Sequence, residues 1–117
     1  MKINASALDK NESTPSMRVA FFGKVGIAYV GDLDGETLSM ECAVDSADFD
    51  DDTATWMPCY PAEDSSVQET YSNSAASVRP RVFMLPGGFR VRWTMSNGAG
   101  TPVGVYVHAD GENLSVG

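Results

Sequence analysis

The sequence has few of the residues that bind metals, hold nucleic acids or cross membranes. One histidine and two cysteines among 117 residues argue against a zinc site and against a disulfide framework. Basic residues number 8 against 16 acidic ones, a formal net charge of -8. Because nucleic-acid binding requires a concentrated positive field, we expect no nucleic-acid partner. No apolar run approaches the ~18 residues that span a bilayer, so we expect no membrane partner.

The sequence also lacks export and catalytic signals. The N-terminal residues contain no apolar signal-peptide core, and we therefore expect synthesis in the cytoplasm without export by the usual route. There is no Gly-x-Ser-x-Gly elbow and no glycine-rich phosphate loop, and His108 is the one histidine that could serve as a base. The sequence thus predicts a protein that is not an enzyme and binds no cofactor or metal.

Short β-strand patterns are what the chain does contain. Hydrophobic residues make up 43% of it, enough for one packed domain. The clearest alternation of apolar and polar residues covers 89–95, and similar runs cover 38–44 and 103–107. With Gly, Pro, Asn and Asp turns between about seven strands, we predict an all-β fold: a single antiparallel β-sandwich, Ig-like or jelly-roll-like. The predicted inner face carries Leu38, Met40, Val44, Phe89, Val91, Trp93, Val103, Val105 and Val107.

Both ends of the chain lack these patterns. Residues 1–17 are polar and without a period, which predicts an extended N-terminal arm that becomes ordered on a partner. Residues 18–109 form the predicted sandwich, and residues 110–117 a loose C-terminal tail. We expect that deletion of the arm leaves the sandwich folded with a nearly unchanged thermal midpoint. The arm carries three isolated apolar residues as candidate anchors on a partner surface: Ile3, Leu8 and Met17.

Two turn sequences indicate hairpins. Asp34-Gly35 lies between two strand patterns, which is a strong hairpin signal, and Pro86-Gly87-Gly88 separates 78–85 from 88–95. If 78–85 and 88–95 pair as a hairpin, four of the eight basic residues cluster on one sheet surface: Arg79, Arg81, Arg90 and Arg92. This cluster has two interpretations: cross-strand pairs with acidic residues such as Glu41, or a basic patch that docks an acidic partner.

An acidic loop and two thiols each allow alternatives. The loop from Asp45 to Asp52 holds five aspartates, which either supply oxygen ligands to calcium or form a solvated surface.

Cys42 and Cys59 can be bridged by a disulfide if their strands pair. In a cytoplasmic product we favour two buried or half-buried thiols over a disulfide.

The order of motifs resembles that of small β-sandwich virion proteins of tailed bacteriophages, which decorate heads or form the bases of fibres. The resemblance covers about residues 18 to 109 and rests on the runs DGETL, TWMP, LPGGFR and VGVYV. A longer acidic insertion before Trp56 departs from the pattern. The matching positions are Asp34, Gly35, Thr37, Leu38, Asp45, Thr55, Trp56, Pro58, Leu85, Pro86, Gly88, Phe89 and Arg90.

This resemblance implies a non-enzymatic structural protein of the virion, and first of all a capsid decoration (cement) protein that binds and stabilises the head shell. It implies the major capsid protein or other virion subunits as partners, and a homo-oligomer, with a trimer as the first expectation. One alternative is a head-tail connector, tail or fibre-base subunit. Another is a carbohydrate-binding β-sandwich, in which a sugar stacks on aromatic residues: Trp56, Tyr60, Tyr71 or Tyr106.

Overall fold

The computed structural model describes residues 2–4, 7–19, 23–60, 68, 70–72, 77–85, 87–111 and 114–115. Within these residues the backbone forms ten β-strands and no helix. The strands are β1 (Lys2–Asn4), β2 (Met17–Val19), β3 (Gly23–Asp32), β4 (Thr37–Val44), β5 (Met57–Pro58), β6 (Thr70–Ser72), β7 (Ser77–Leu85), β8 (Phe89–Met95), β9 (Val103–Gly111) and β10 (Leu114–Ser115).

The strands form two antiparallel sheets, which confirms the predicted all-β sandwich. One sheet has the order β1-β9-β3-β7. The other has the order β10-β2-β8-β4-β5, and β6 also pairs with β4. Five strands of seven to ten residues carry the sheets. The remaining five have two or three residues each and extend the sheet edges.

An apolar core fills the space between the sheets. Its two largest side chains, Trp93 from β8 and Tyr29 from β3, are each 1% exposed. Burying a large apolar side chain stabilises the folded chain by about 1.5 to 3 kcal/mol, so a core of this size holds a single domain together. Six of the predicted inner-face residues are buried as expected: Leu38, Met40, Val91, Trp93, Val105 and Val107.

Two predicted core residues are exposed, and a third is only partly buried. Val103 is 65% exposed. The alternation breaks next to it, because Gly104 has a φ of 62° and the register with β3 shifts between Val30 and Asp32. Val44 is 68% exposed, since it is the last residue of β4 and pairs with the partly buried Phe89 at the end of the sheet.

The two predicted hairpins are wrong, although both turns exist. Asp34 and Gly35 have φ values of 50° and 85°, as in a type I′ turn. This turn joins β3 in one sheet to β4 in the other, and the turn before β8 likewise joins it to β7 of the opposite sheet. Local dihedral angles reverse the chain, but the burial of each strand's apolar face decides which neighbour it pairs with.

The predicted free arm is also wrong for the residues described. Strand β1 pairs with β9, and the Leu8 N–H donates to the Val105 carbonyl oxygen at 2.8 Å. The Thr14 N–H donates to the Trp93 carbonyl oxygen at 2.9 Å. Strand β2 pairs with β8 through Met17 and Val91. Leu8 and Met17 show no period because each occupies a separate core position, while the backbone of the segment pairs with strands of both sheets.

The C-terminal segment likewise extends the fold beyond residue 109. Strand β9 continues to Gly111, and β10 pairs with β2. The boundaries 18–109 of the predicted sandwich are therefore too narrow at both ends, and the described part of 110–117 is not a loose tail.

Candidate interaction surface

Arg92 lies on the outer face of the β8–β4 pair, as its place in the alternating run predicts. Its Nε donates to Oε1 of Glu41, its register partner, at 3.0 Å. The guanidinium also lies over the Trp56 ring, 4.2 Å from the centroid. The cross-strand interpretation of this arginine is therefore confirmed: its charge pairs within the sheet and its plane stacks on an aromatic ring.

Arg90 has an equivalent arrangement two residues along the strand, on the same face. Its Nε donates to Oδ1 of Asp45 at 3.0 Å, and its guanidinium lies 4.4 Å from the centroid of the Phe49 ring. Asp45 also pairs with Arg18. Burial raises the pKa of the Asp45 carboxyl, but the hydrogen bonds and charges of the two arginines outweigh it and hold the pKa below its ordinary value. These cations are therefore engaged within the protein.

The predicted four-arginine patch does not form. Arg79 and Arg81 lie on β7 and pair in register with Tyr29 and Ile27 of β3, in the sheet opposite to Arg90 and Arg92. The patch requires a β7–β8 hairpin, but the chain crosses from one sheet to the other at that turn.

Two of the three predicted anchors of the arm do not form a partner surface. Leu8 is 7% exposed and Met17 is fully buried, both in the core. Ile3 pairs with Ala109 at the β1 edge of its sheet. The side chains of Leu8 and Met17 pack between the sheets and are therefore not exposed to a partner.

The acidic loop folds over the outer face of β8. The Phe49 and Trp56 rings meet edge to face with centroids 5.8 Å apart, and the Ser16 hydroxyl hydrogen-bonds Oδ1 of Asp51 at 2.7 Å. Asp50 accepts the backbone N–H of Asp52 at 2.8 Å. Within the described residues no three His, Cys, Asp or Glu side chains group as ligands for a metal ion. Asp50 and Asp51 thus accept hydrogen bonds that hold the loop in place.

An exposed apolar patch at the β4–β5 end of the six-stranded sheet was missed by the sequence analysis. Its members are Val44, Met57 and Tyr60, which are 68%, 58% and 50% exposed. Val44 and Met57 line one cavity of about 380 Å³, and Tyr60 lines a second of about 230 Å³. Cys42 and Phe89 line both cavities. The strand pattern placed Val44 inside, and no feature of the sequence signals this patch.

The two cysteines meet beside this patch. Strand β5 pairs with β4 so that Cys42 faces Met57, and the Cys59 N–H donates to the Met40 carbonyl oxygen at 3.0 Å. Cys59 is 5% exposed and Cys42 is half-buried. A hydrogen bond from the Cys59 side chain lowers the pKa of the Cys42 thiol to about 7, against burial and the charge of Glu41, which raise it. No disulfide links the two thiols.

At the opposite end of β4, a buried carboxylate binds the connection between β8 and β9 through hydrogen bonds. Glu36, 3% exposed, accepts the N–H groups of Gly98 and Gly100 at 2.6 and 2.7 Å and the Ser96 hydroxyl at 2.8 Å. The Gly98 hydrogen bond, then those of Ser96 and Gly100, hold the pKa of the Glu36 carboxyl below its ordinary value against burial. A Cβ on Gly98 would lie 2.9 Å from Oε2 of Glu36. This arrangement joins loops of the fold, and both oxygens of the carboxylate accept hydrogen bonds from within the protein.

The four aromatic residues proposed for sugar stacking are not together. Tyr71 is 9% exposed and packs on Tyr29, with ring centroids 5.2 Å apart. Trp56 has Arg92 over its ring. Tyr60 and Tyr106 are exposed, but Tyr106 belongs to β9 of the opposite sheet. A platform of all four rings is therefore not formed.

Comparison of the chain with protein-family models, with curated proteins and with solved structures finds no match. No helix of the described residues has the length and apolar character needed to cross a membrane.

Proposed function

We propose that this protein is a non-enzymatic structural subunit of a bacteriophage virion, and specifically a capsid decoration protein that binds and stabilises the head shell. The motif resemblance over residues 18 to 109 supports the proposal. The observation that carries it is the apolar patch of Val44, Met57 and Tyr60. The major capsid protein is the proposed partner, a homo-oligomeric, trimeric assembly the proposed form, and the virion the proposed location after synthesis in the host cytoplasm.

The net charge of the chain and the exposed apolar patch together favour binding to one specific partner. A net charge of -8 makes copies of the chain repel one another wherever no specific contact exists. Exposed apolar side chains beside cavities are typical of surfaces that bind other proteins. In a decoration protein, many copies bind through one such surface, and the many contacts together stiffen the shell.

The test begins with the particle. Virions purified from lysates of the bacterium that carries the gene are analysed by quantitative mass spectrometry. Hundreds of copies per particle are the expected result for a decoration protein. A few to dozens would instead support a head-tail connector, tail or fibre-base subunit. Absence of the chain from purified particles would overturn the virion proposal.

A matched pair of variants then tests the patch. Val44→Asp introduces a charge into the patch, and Val103→Asp introduces the same charge at an equally exposed valine of the opposite sheet, 65% against 68% exposed. On heads prepared without the protein, we expect Val44→Asp to weaken binding by at least about tenfold, as loss of a central apolar contact does. Val103→Asp should bind as the wild type does. Equal binding by both variants would show that the patch is not the docking surface.

A further inference from the structure

The pairing of β4 with β5 brings Cys42 and Cys59 onto the same face of the sheet. Cys42 faces Met57 and Glu41 faces Pro58, so Cys59 lies one step further, opposite Met40. Cys42 and Cys59 are therefore diagonal neighbours, and both line the apolar cavity of about 230 Å³. The two side chains are in hydrogen-bond contact. Nothing in the proposed virion function uses this pair.

We propose that Cys42 and Cys59 are a reversible dithiol, which a low-molecular-weight disulfide such as glutathione disulfide oxidises to an intramolecular disulfide. The inference does not rest on the proposed function of the chain, because it concerns the chemistry of two thiols in contact beside a cavity.

The exposure of the two thiols assigns their roles. Cys42 is half-buried and its thiolate attacks one sulfur of glutathione disulfide, which forms a mixed disulfide and releases one glutathione thiolate. Cys59, 5% exposed, is shielded from a bulky reagent but touches Cys42. It loses its proton and attacks Sγ of Cys42, releasing the second glutathione. Two protein thiols are oxidised and one glutathione disulfide is reduced to two glutathione molecules. The lowered pKa of Cys42 raises the thiolate fraction at neutral pH.

The position of β5 allows the bond to form. Diagonal neighbours on paired strands have Cα atoms about 7 to 8 Å apart, whereas a disulfide requires about 4.4 to 6.8 Å. One strand must therefore move slightly. Strand β5 has two residues, both exposed, and pairs with β4 alone among the described strands. Because it is a two-residue edge strand, it can shift relative to β4 with the loss of few backbone hydrogen bonds, and the buried Cys59 side chain shifts with it. The bond would close the loop between Cys42 and Cys59, which includes the acidic loop and Met57.

The experiment treats the full-length native protein with glutathione disulfide and measures intact mass and thiols titrated after denaturation. We expect the wild type to fall from two thiols per chain to none, with the loss of two hydrogens and no retained glutathione, and to recover both thiols on addition of dithiothreitol. Cys59→Ser should retain one glutathione on Cys42. Cys42→Ser should stay unmodified while folded, because Cys59 is buried.

Three results would overturn the proposal. They are a stable glutathione adduct on the wild type, disulfide-linked dimers on a non-reducing gel, or two thiols still titratable after treatment. Circular dichroism checks that each serine variant is folded, and Cys59→Ala replaces Cys59→Ser if the buried hydroxyl prevents folding. The wild-type mass measurement decides the proposal even if neither variant folds, since it needs no substitution.

Discussion

The carboxylate of Glu36 accepts the backbone N–H of Gly98 at 2.6 Å, and this bond ties together two of the connections that cross between the sheets. Glu36 ends the turn from β3 to β4, and Gly98 lies in the connection from β8 to β9. The Asp34 side chain adds a second tie, because its Oδ2 accepts the N–H of Thr101 at 2.8 Å. One end of the sandwich is therefore closed by carboxylates that accept backbone hydrogen bonds.

This closure predicts a loss of stability in acid. The pKa of Glu36 in the folded chain is below its ordinary value of 4.5. A group of this kind stabilises the folded state above its unfolded pKa, and its contribution is lost as the pH falls through the folded pKa. We expect the free energy of unfolding to fall as the pH is lowered from 5 through the acid range, and Glu36→Gln to be less stable at pH 7 with a smaller pH dependence. Urea denaturation across this pH range measures both.

The control for Glu36→Gln removes a carboxyl that is exposed. Asp48→Asn changes a residue of the acidic loop and should leave both the stability at pH 7 and its pH dependence close to wild type. If Glu36→Gln also behaved as the wild type does, the carboxylate would not hold the two connections together.

The N-terminal segment is predicted to be required for stability. Leu8→Ala removes a side chain that is 7% exposed within the core, and we expect it to cost about 2 to 4 kcal/mol in urea denaturation. Ala7→Ser, at the exposed neighbouring position, should change stability by less than about 0.5 kcal/mol. Deletion of residues 1–17, which the sequence pattern treats as harmless, should abolish cooperative unfolding. An unchanged thermal midpoint after deletion would contradict the packing of Leu8 and Met17 in the core.

Substitutions on the two faces of β8 are predicted to lower the free energy of unfolding by different amounts. Trp93→Ala removes a side chain that is 1% exposed between the sheets and should cost about 3 to 5 kcal/mol. Arg92→Ala removes one ion pair with Glu41 and one contact with Trp56 on the outer face, worth about 1 kcal/mol together. Chemical denaturation of both variants measures the difference. Equal losses would mean that the register of this strand is wrong.

Removal of a buried hydroxyl, unlike the substitutions above, is predicted not to lower the free energy of unfolding. The Tyr29 hydroxyl is buried and has no hydrogen-bond partner among the described residues. Leaving a buried polar group unsatisfied costs about 1 to 3 kcal/mol. Tyr29→Phe should therefore leave the free energy of unfolding unchanged or raise it by about 1 kcal/mol. Tyr106→Phe, at an exposed position, is the matched control and should have no effect. A clear loss of stability in Tyr29→Phe alone would reveal a partner for the hydroxyl.

The sequence alone determined the strands and their faces where alternation is regular. The run from Phe89 to Met95 predicts both the strand and the inward side chains of Val91, Trp93 and Met95, which are each 1% exposed. It also places Arg92 on the outer face, where pairing with an acidic neighbour is one of the two interpretations that the sequence allows and the one that the structure shows. Such features are local, because consecutive side chains of a strand point to opposite faces and one face must be buried.

Only the tertiary structure decided which strands are neighbours. Asp34 and Gly35 have the φ values of a hairpin turn, 50° and 85°, and Gly88 has a φ of 84°, yet both connections join strands of different sheets. Leu8 and Met17 belong to the core without any period around them, and Val44 is exposed although its strand pattern points inward. Pairing and exposure depend on contacts between residues far apart in the chain, so the local pattern of apolar and polar residues does not contain them.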